Sequence, residues 1–129
     1  MLRKKRVLIV EDEESLLKLE TILLTVKGFE VIGASTGKIA IEKIGVESFD
    51  LVLLDIMLPD IDGFEVCRQI RKDPRTSAIP IIMLTGKESQ YDHDRGVLCG
   101  ANAYLIKPFK SAIIIDEINR LLSLSGTGE

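Results

Sequence analysis

The 129-residue chain has no tryptophan, two tyrosines and four phenylalanines, so any core must be built mainly from aliphatic side chains. It has only two cysteines, Cys67 and Cys99, with neither metal-ligand spacing nor a disulfide framework around them. Its single histidine, His93, lies in a polar stretch with no partner in view and reads as a surface residue. No stretch approaches the roughly 18–20 apolar residues that span a bilayer. The basic start MLRKKR resembles the charged end of a signal peptide, but only VLIV separates it from EDEE. A secretory apolar region needs about 7–15 residues. There is no excess of positive charge either: 17 Lys and Arg face 20 Asp and Glu, a net −3, which gives no means of recruiting a nucleic-acid backbone. The exclusions leave a single globular domain, cytoplasmic, with reduced thiols and no direct contact with nucleic acid or membrane.

What is present is alternation. RVLIV (6–10) is a short apolar strand. A helical pattern follows, with Leu16, Leu19 and Leu23 on one side and Leu17 and Leu24 beside them; Gly28 stands where a helix-terminating glycine belongs. FEVIGA (29–34) reads as a second strand. A helix carrying Ile39, Ala40, Ile44 and Val46 comes next. LVLL (51–54) is a continuous apolar strand of the kind covered on both faces. Pro59 and Asp62-Gly63 mark a loop, Phe64 to Ile70 a third helix ending before Asp73-Pro74, and IIML (81–84) a fourth strand. Residues 88–99 are weakly helical, YLI (104–106) is a fifth strand, and 111–124 form a final helix. Short connections between five alternating strands and helices imply parallel crossovers and a doubly wound α/β sheet with helices on both faces. The domain is expected to span 1–124, with SLSGTGE leading into a tail or linker over 125–129.

GASTGKI (33–39) imitates a phosphate-binding loop but fails its spacing. That loop needs four residues between its glycines and Ser or Thr after the lysine; here Gly33 and Gly37 enclose three, and Ile39 follows Lys38. A strand-to-helix turn accounts for the glycines. Cys67, on the third helix, reads as a small core residue.

The strand ends carry the chemistry. Glu11 and Asp12 follow the first strand, Asp55 the third, Thr85 and Gly86 the fourth, Lys107 and Pro108 the fifth. Open parallel sheets bind ligands beyond the carboxyl ends of their strands, where the strand order reverses. With the order 2-1-3-4-5, the first and third strands are neighbours and the three carboxylates converge. Singly, each residue has a plainer reading: Asp12 as a helix cap, Thr85 as a turn residue, Lys107 as a surface lysine. Together they crowd one edge. Converging carboxylates repel and hold on to protons; a divalent cation with a taste for oxygen, such as Mg²⁺, removes the conflict and accepts phosphate oxygens. Aspartate is a known nucleophile in phosphoryl transfer, forming an acyl phosphate, and such transfer needs positioning and charge neutralisation above all.

VLIVEDEE, LVLLDIMLPDIDGFEV, PIIMLTGK and GANAYLIKPF, in that order across about residues 5–124, make the chain resemble the receiver domain of two-component response regulators. The resemblance implies a flavodoxin-like five-stranded fold with five helices. It makes Asp55 the acceptor of a phosphoryl group from a histidine kinase or phosphotransfer protein. It implies Mg²⁺, with Mn²⁺ as a substitute, held by Asp12, Asp55 and the backbone carbonyl of Met57, with Glu11 acting through water. Thr85 and Lys107 fall on the family's switch hydroxyl and lysine, Tyr104 on its switch aromatic, and Pro108 on a position usually preceded by a cis peptide. The chain departs from the family pattern in having Glu11 for the commoner Asp, Gly86 for the commoner Ala, and Asn102 in a loop position that is often acidic.

The implied output is a change of the face formed by the fourth helix, fifth strand and fifth helix: Thr85 moves toward the phosphoryl group and Tyr104 turns inward behind it. Ile113, Ile114 and Ile115 give the last helix more apolar width than one core face needs. A wide buried stripe is expected, with Ile113 on a dimer or partner surface as the alternative. Two competing functions are weighed against the signalling module, which is enzymatic only in assisting its own phosphorylation and dephosphorylation. A haloacid-dehalogenase-type phosphatase also uses Asp, Mg²⁺, Thr and Lys, but wants its nucleophile after the first strand and a second acid where Met57 stands. A degenerate receiver would bind partners without phosphate.

Overall fold

The computed structural model describes residues 3–86, 99–107 and 110–124. Five strands run β1 (Arg6–Val10), β2 (Glu30–Ala34), β3 (Leu51–Asp55), β4 (Ile81–Thr85) and β5 (Ala103–Ile106). They form one parallel sheet in the order β2-β1-β3-β4-β5. The helices are α1 (Glu14–Val26), α2 (Gly37–Val46), α3 (Gly63–Lys72) and the C-terminal α4 (Ser111–Leu124). The remaining expected helix, over 88–99, lies outside the described residues except for Cys99. His93, Lys87, Pro108 and the 125–129 tail lie outside them too.

The sheet sorts its side chains by the two-residue period of a strand. Leu8, Val10, Val52, Leu54, Ile81 and Met83 face one layer, where they meet Ala40, Ile44, Phe64, Val66 and Ile70 of α2 and α3. Val7, Ile9, Leu51, Leu53, Ile82 and Leu84 face the other, against Leu24 of α1 and Ile114, Ile118 and Leu121 of α4. A sheet buried on both faces needs unbroken apolar strands, and β3 and β4 are buried along their whole lengths.

Local chemistry fixes the helix ends. Thr36 caps α2 by accepting from the Ile39 amide at 3.1 Å. Asp62 caps α3 by accepting from the Phe64 amide at 2.6 Å. At the end of α1, Gly28 takes a φ of 98°, and the Gly28 and Phe29 amides donate to the carbonyls of Thr25 and Leu24. This paired closure suits a residue without Cβ.

Three apolar assignments fall differently. The Leu16–Leu19–Leu23 side of α1 is not its core face: Leu19 is 62% exposed, and the buried positions are Glu20 and Leu24. An acid on the inward stripe rotated the apparent apolar face. Val46 is exposed at the last turn of α2. In α4, Ile114 is fully buried while Ile113 is 49% exposed, so the isoleucine run is not one buried stripe. Three consecutive helical residues span too much of the circumference to share one face.

Candidate functional site

The crossovers from β1 and β3 leave on opposite faces, so the carboxyl ends of these neighbouring strands bound an open crevice. Three carboxylates occupy it. Glu11 and Asp12 directly follow β1, and Asp55 closes β3. One oxygen of each lies within 4.8 Å of the others. Glu11 and Asp55 are buried, whereas Asp12 is exposed at the mouth. Asp12 does not cap α1: the cap position is Glu13, which makes no side-chain capping bond.

Lys107 enters from the end of β5. Its amide donates to the Thr85 carbonyl at 2.6 Å, which ties the ends of β4 and β5 together. Its Nζ donates to Glu11 Oε1 at 2.9 Å and to Asp55 Oδ2 at 3.3 Å. The other Asp55 oxygen, Oδ1, accepts from the Met57 amide at 3.3 Å. Thr85 is buried at the end of β4, one position beyond the residue paired with Asp55. The structure thus gathers Glu11, Asp12, Asp55 and Lys107 at one edge, with Met57 and Thr85 beside them.

Close backbone approach holds Asp55 in place. The Gly63 amide donates to the Ile56 carbonyl at 2.9 Å. A Cβ on Gly63 would run into the Asp55 carbonyl oxygen and come within 2.8 Å of the Ile56 Cα, so only glycine lets α3 start this close to β3. Asp60 pins the same loop from its other side, accepting from the Gly37 and Lys38 amides at 2.9 and 2.8 Å. Gly86 is different: a Cβ there would meet nothing within 4 Å among the described residues.

Among the described residues, three carboxylates against one ammonium leave a formal excess of two negative charges in the crevice. Burial, together with the charge of Asp55, raises the Glu11 carboxyl above its ordinary range, although the hydrogen bond from Lys107 opposes this. Burial alone would lower the Lys107 ammonium; its bonds to Glu11 and Asp55 outweigh that and raise it. A hard divalent cation suits such a donor set, being all oxygen, clustered and in charge deficit.

Two features escaped the sequence reading. Glu20 is buried, both its oxygens lack a hydrogen-bond partner among the described residues, and burial and then the charge of Glu11 push its carboxyl up to about 7. Its position three residues after Leu17 and four before Leu24 was the available signal. The other is the contact between Cys67 and Cys99, which no local pattern announces. Tyr104, in the middle of β5, packs on the α2–α3 layer with its hydroxyl buried, the inward orientation that the resemblance assigns to the phosphorylated state.

The comparisons with known proteins agree with this geometry. Residues 7–119 match the family model of the response regulator receiver domain. The alkaline phosphatase synthesis transcriptional regulatory protein PhoP of Bacillus subtilis is 40% identical over 121 residues, covering 94% of this chain and 50% of PhoP. The chain spans about half the length of the curated relatives it matches. Among solved structures, the CheY-like response regulator receiver domain protein from Methanospirillum hungatei superposes with a TM-score of 0.91 at 32% identity, over 98% of this chain and 99% of that one. The receiver domain of the sensor histidine kinase PA1611 from Pseudomonas aeruginosa, solved with a magnesium ion coordinated in its active-site cleft, gives 0.87 at 30% identity, over 93% and 98%. With that match running across both layers and every strand that feeds the crevice, the chain belongs to the receiver domains of response regulators.

Proposed function

We propose that Asp55 is the phosphoacceptor of this receiver domain, taking a phosphoryl group from a histidine kinase or phosphotransfer protein. The observation that carries the reading is the three-carboxylate cluster bonded to Lys107 at the edge of the sheet. Asp12, Asp55 and the Met57 carbonyl would hold Mg²⁺, with Mn²⁺ as a substitute and Glu11 acting through water. When bound, the cation supplies charge neutralisation for the incoming phosphoryl oxygens.

The chain's own residues do the rest. The Met57 amide and Lys107 Nζ bond the two Asp55 oxygens, fixing the rotation of the carboxylate before attack. An Asp55 oxygen attacks phosphorus, the bond from phosphorus to the donor breaks, and the donor leaves with the electron pair. Lys107 neutralises charge that develops on the phosphoryl oxygens, and the Thr85 hydroxyl donates to one of them. The help is self-directed: the domain assists its own phosphorylation and the later hydrolysis of the acyl phosphate, and turns over no other substrate.

Output follows from Thr85 and Tyr104. Bonding of Thr85 to the phosphoryl group favours the inward rotamer of Tyr104 over an exposed one, and the β5–α4 face presents a different surface to a partner or a second copy in the two states. Half-exposed Ile113 on α4 supports an apolar contribution to that surface. The matched relatives are named transcriptional regulators, which supports an output on transcription through sequence outside the matched half. No helix among the described residues is long and apolar enough to cross a membrane, and a cytoplasmic setting with reduced cysteines fits the reading.

The test is labelling by a small acyl phosphate, with and without Mg²⁺. The expected result is stoichiometric Mg²⁺-dependent phosphorylation that Asp55→Asn abolishes. Turnover of free phosphoesters would instead point to a phosphatase, and a folded, Mg²⁺-saturated domain that takes no label would mark a phosphate-independent binding module.

A further inference from the structure

Cys67 lies on the inward face of α3 and is fully buried; Cys99 is 5% exposed and ends at the turn into β5, just before Gly100 with its φ of 92°. The two are 32 residues apart in sequence, yet the Cys67 Sγ donates to the Cys99 carbonyl at 3.2 Å, which puts the two cysteines in contact. Neither is in a disulfide.

A cation holds the turn that carries Cys99. Arg71, one turn after Cys67, is half-buried and bonds the Gly100 carbonyl at 2.9 Å, the Ile79 carbonyl at 2.6 Å and Asn102 Oδ1 at 2.7 Å. Among the described residues it makes no ion pair with a carboxylate. A thiolate at Cys99 is therefore the available counter-charge for a guanidinium fixed by neutral groups. Contact with Cys67, the Ala101 amide and the charge of Arg71 bring the Cys99 thiol down, while contact with Cys99 and burial push Cys67 up. This is the asymmetry of an attacking and a resolving cysteine.

We propose that Cys67 and Cys99 form a redox-active pair, in which a peroxide oxidises Cys99 and Cys67 closes an intramolecular disulfide that ties α3 to the turn before β5. In the first step the Cys99 thiolate attacks a peroxide oxygen and the O–O bond breaks. The leaving hydroxide takes a proton to become water, and Cys99 becomes a sulfenic acid. In the second, the Cys67 sulfur attacks the Cys99 sulfur, the S–O bond breaks, and hydroxide leaves with the Cys67 proton as water. Two thiols and one hydrogen peroxide give one disulfide and two waters. The linkage bears on the switch layer because Cys67, Cys99 and Tyr104 share one cluster. It does not depend on phosphorylation.

The experiment treats the full chain with stoichiometric hydrogen peroxide and reads intact mass and proteolytic peptides. The expected product is monomeric, has lost two hydrogen atoms, links the peptides of residues 67 and 99, and returns to the starting mass with dithiothreitol. In Cys67→Ser, Cys99 stops at the sulfenic acid and is captured by dimedone. Oxygen addition without a link, a disulfide between chains, or reaction only after unfolding would each overturn the proposal while leaving the Asp55 reading intact. The wild-type measurement stands even if a variant folds poorly.

Discussion

Asp55 is an ionisable group at the end of an otherwise apolar strand, and its neighbours explain how the fold tolerates it. Lys107 and the Met57 amide each bond one of its oxygens. Gly63 brings α3 against its backbone, and Gly63→Ala should cost about 3 kcal/mol in urea unfolding, because overpacking against main chain has no soft side to yield. Glu20 has no such support among the described residues. Its carboxyl rises from 4.5 to about 7 on folding. A raised acid binds more protons folded than unfolded in that interval, so its contribution weakens stability as pH climbs from 4.5 to about 7 and stays unfavourable above. The shift corresponds to a cost on the order of 3 kcal/mol at pH 8. Glu20→Leu should therefore unfold at higher denaturant than the parent at pH 8 in metal-free buffer, with the gap closing toward pH 5. Equal gaps at both pH values would remove Glu20 as the cause. Asp55, Thr85 and Lys107 were legible in the sequence because each follows an apolar run; Glu20 was not, because an acid inside a helix reads as solvated.

At the scale of elements, the strands were read almost to the residue, since a strand covered on both faces leaves an unbroken apolar run: LVLL and IIML lie within β3 and β4. Helices gave up their existence, and α3 and α4 their inward residues (Phe64, Val66, Cys67 and Ile70; Ile114, Ile118 and Leu121), but α1 did not give up its orientation. In α1 the apolar residues wrap most of the circumference, and only packing shows that Leu24 points in while Leu19, Ile22 and Val26 point out. Leu24→Ala should cost about 3 kcal/mol, whereas Leu19→Ala should change stability by less than about 0.5 kcal/mol. Chemical denaturation of both variants checks the pair, and similar losses would mean that the helix is rotated. The α3–β5 junction was illegible for another reason: Arg71, Gly100, Asn102 and the two cysteines come from separate stretches of chain, and only the β4–β5 pairing brings them together.

For the molecule as a whole, topology decides function. The order 2-1-3-4-5 sends the chain to opposite faces on either side of the β1–β3 pair, and the polar residues that follow β1, β3, β4 and β5 gather there. The sequence supplied that order as a hypothesis from alternation and short loops, and the parallel register of all four strand pairs bears it out. Among the described residues, convergence leaves a formal excess of two negative charges, an arrangement that makes sense around a divalent cation and an incoming phosphoryl group. The most direct measurement maps where that group lands. After Mg²⁺-dependent phosphorylation by a small acyl phosphate, borohydride reduction converts an aspartyl phosphate to homoserine, and peptide mass spectrometry reads its position. The account predicts conversion at residue 55 alone; conversion at Asp12 or another acid, with residue 55 still aspartate, would contradict it.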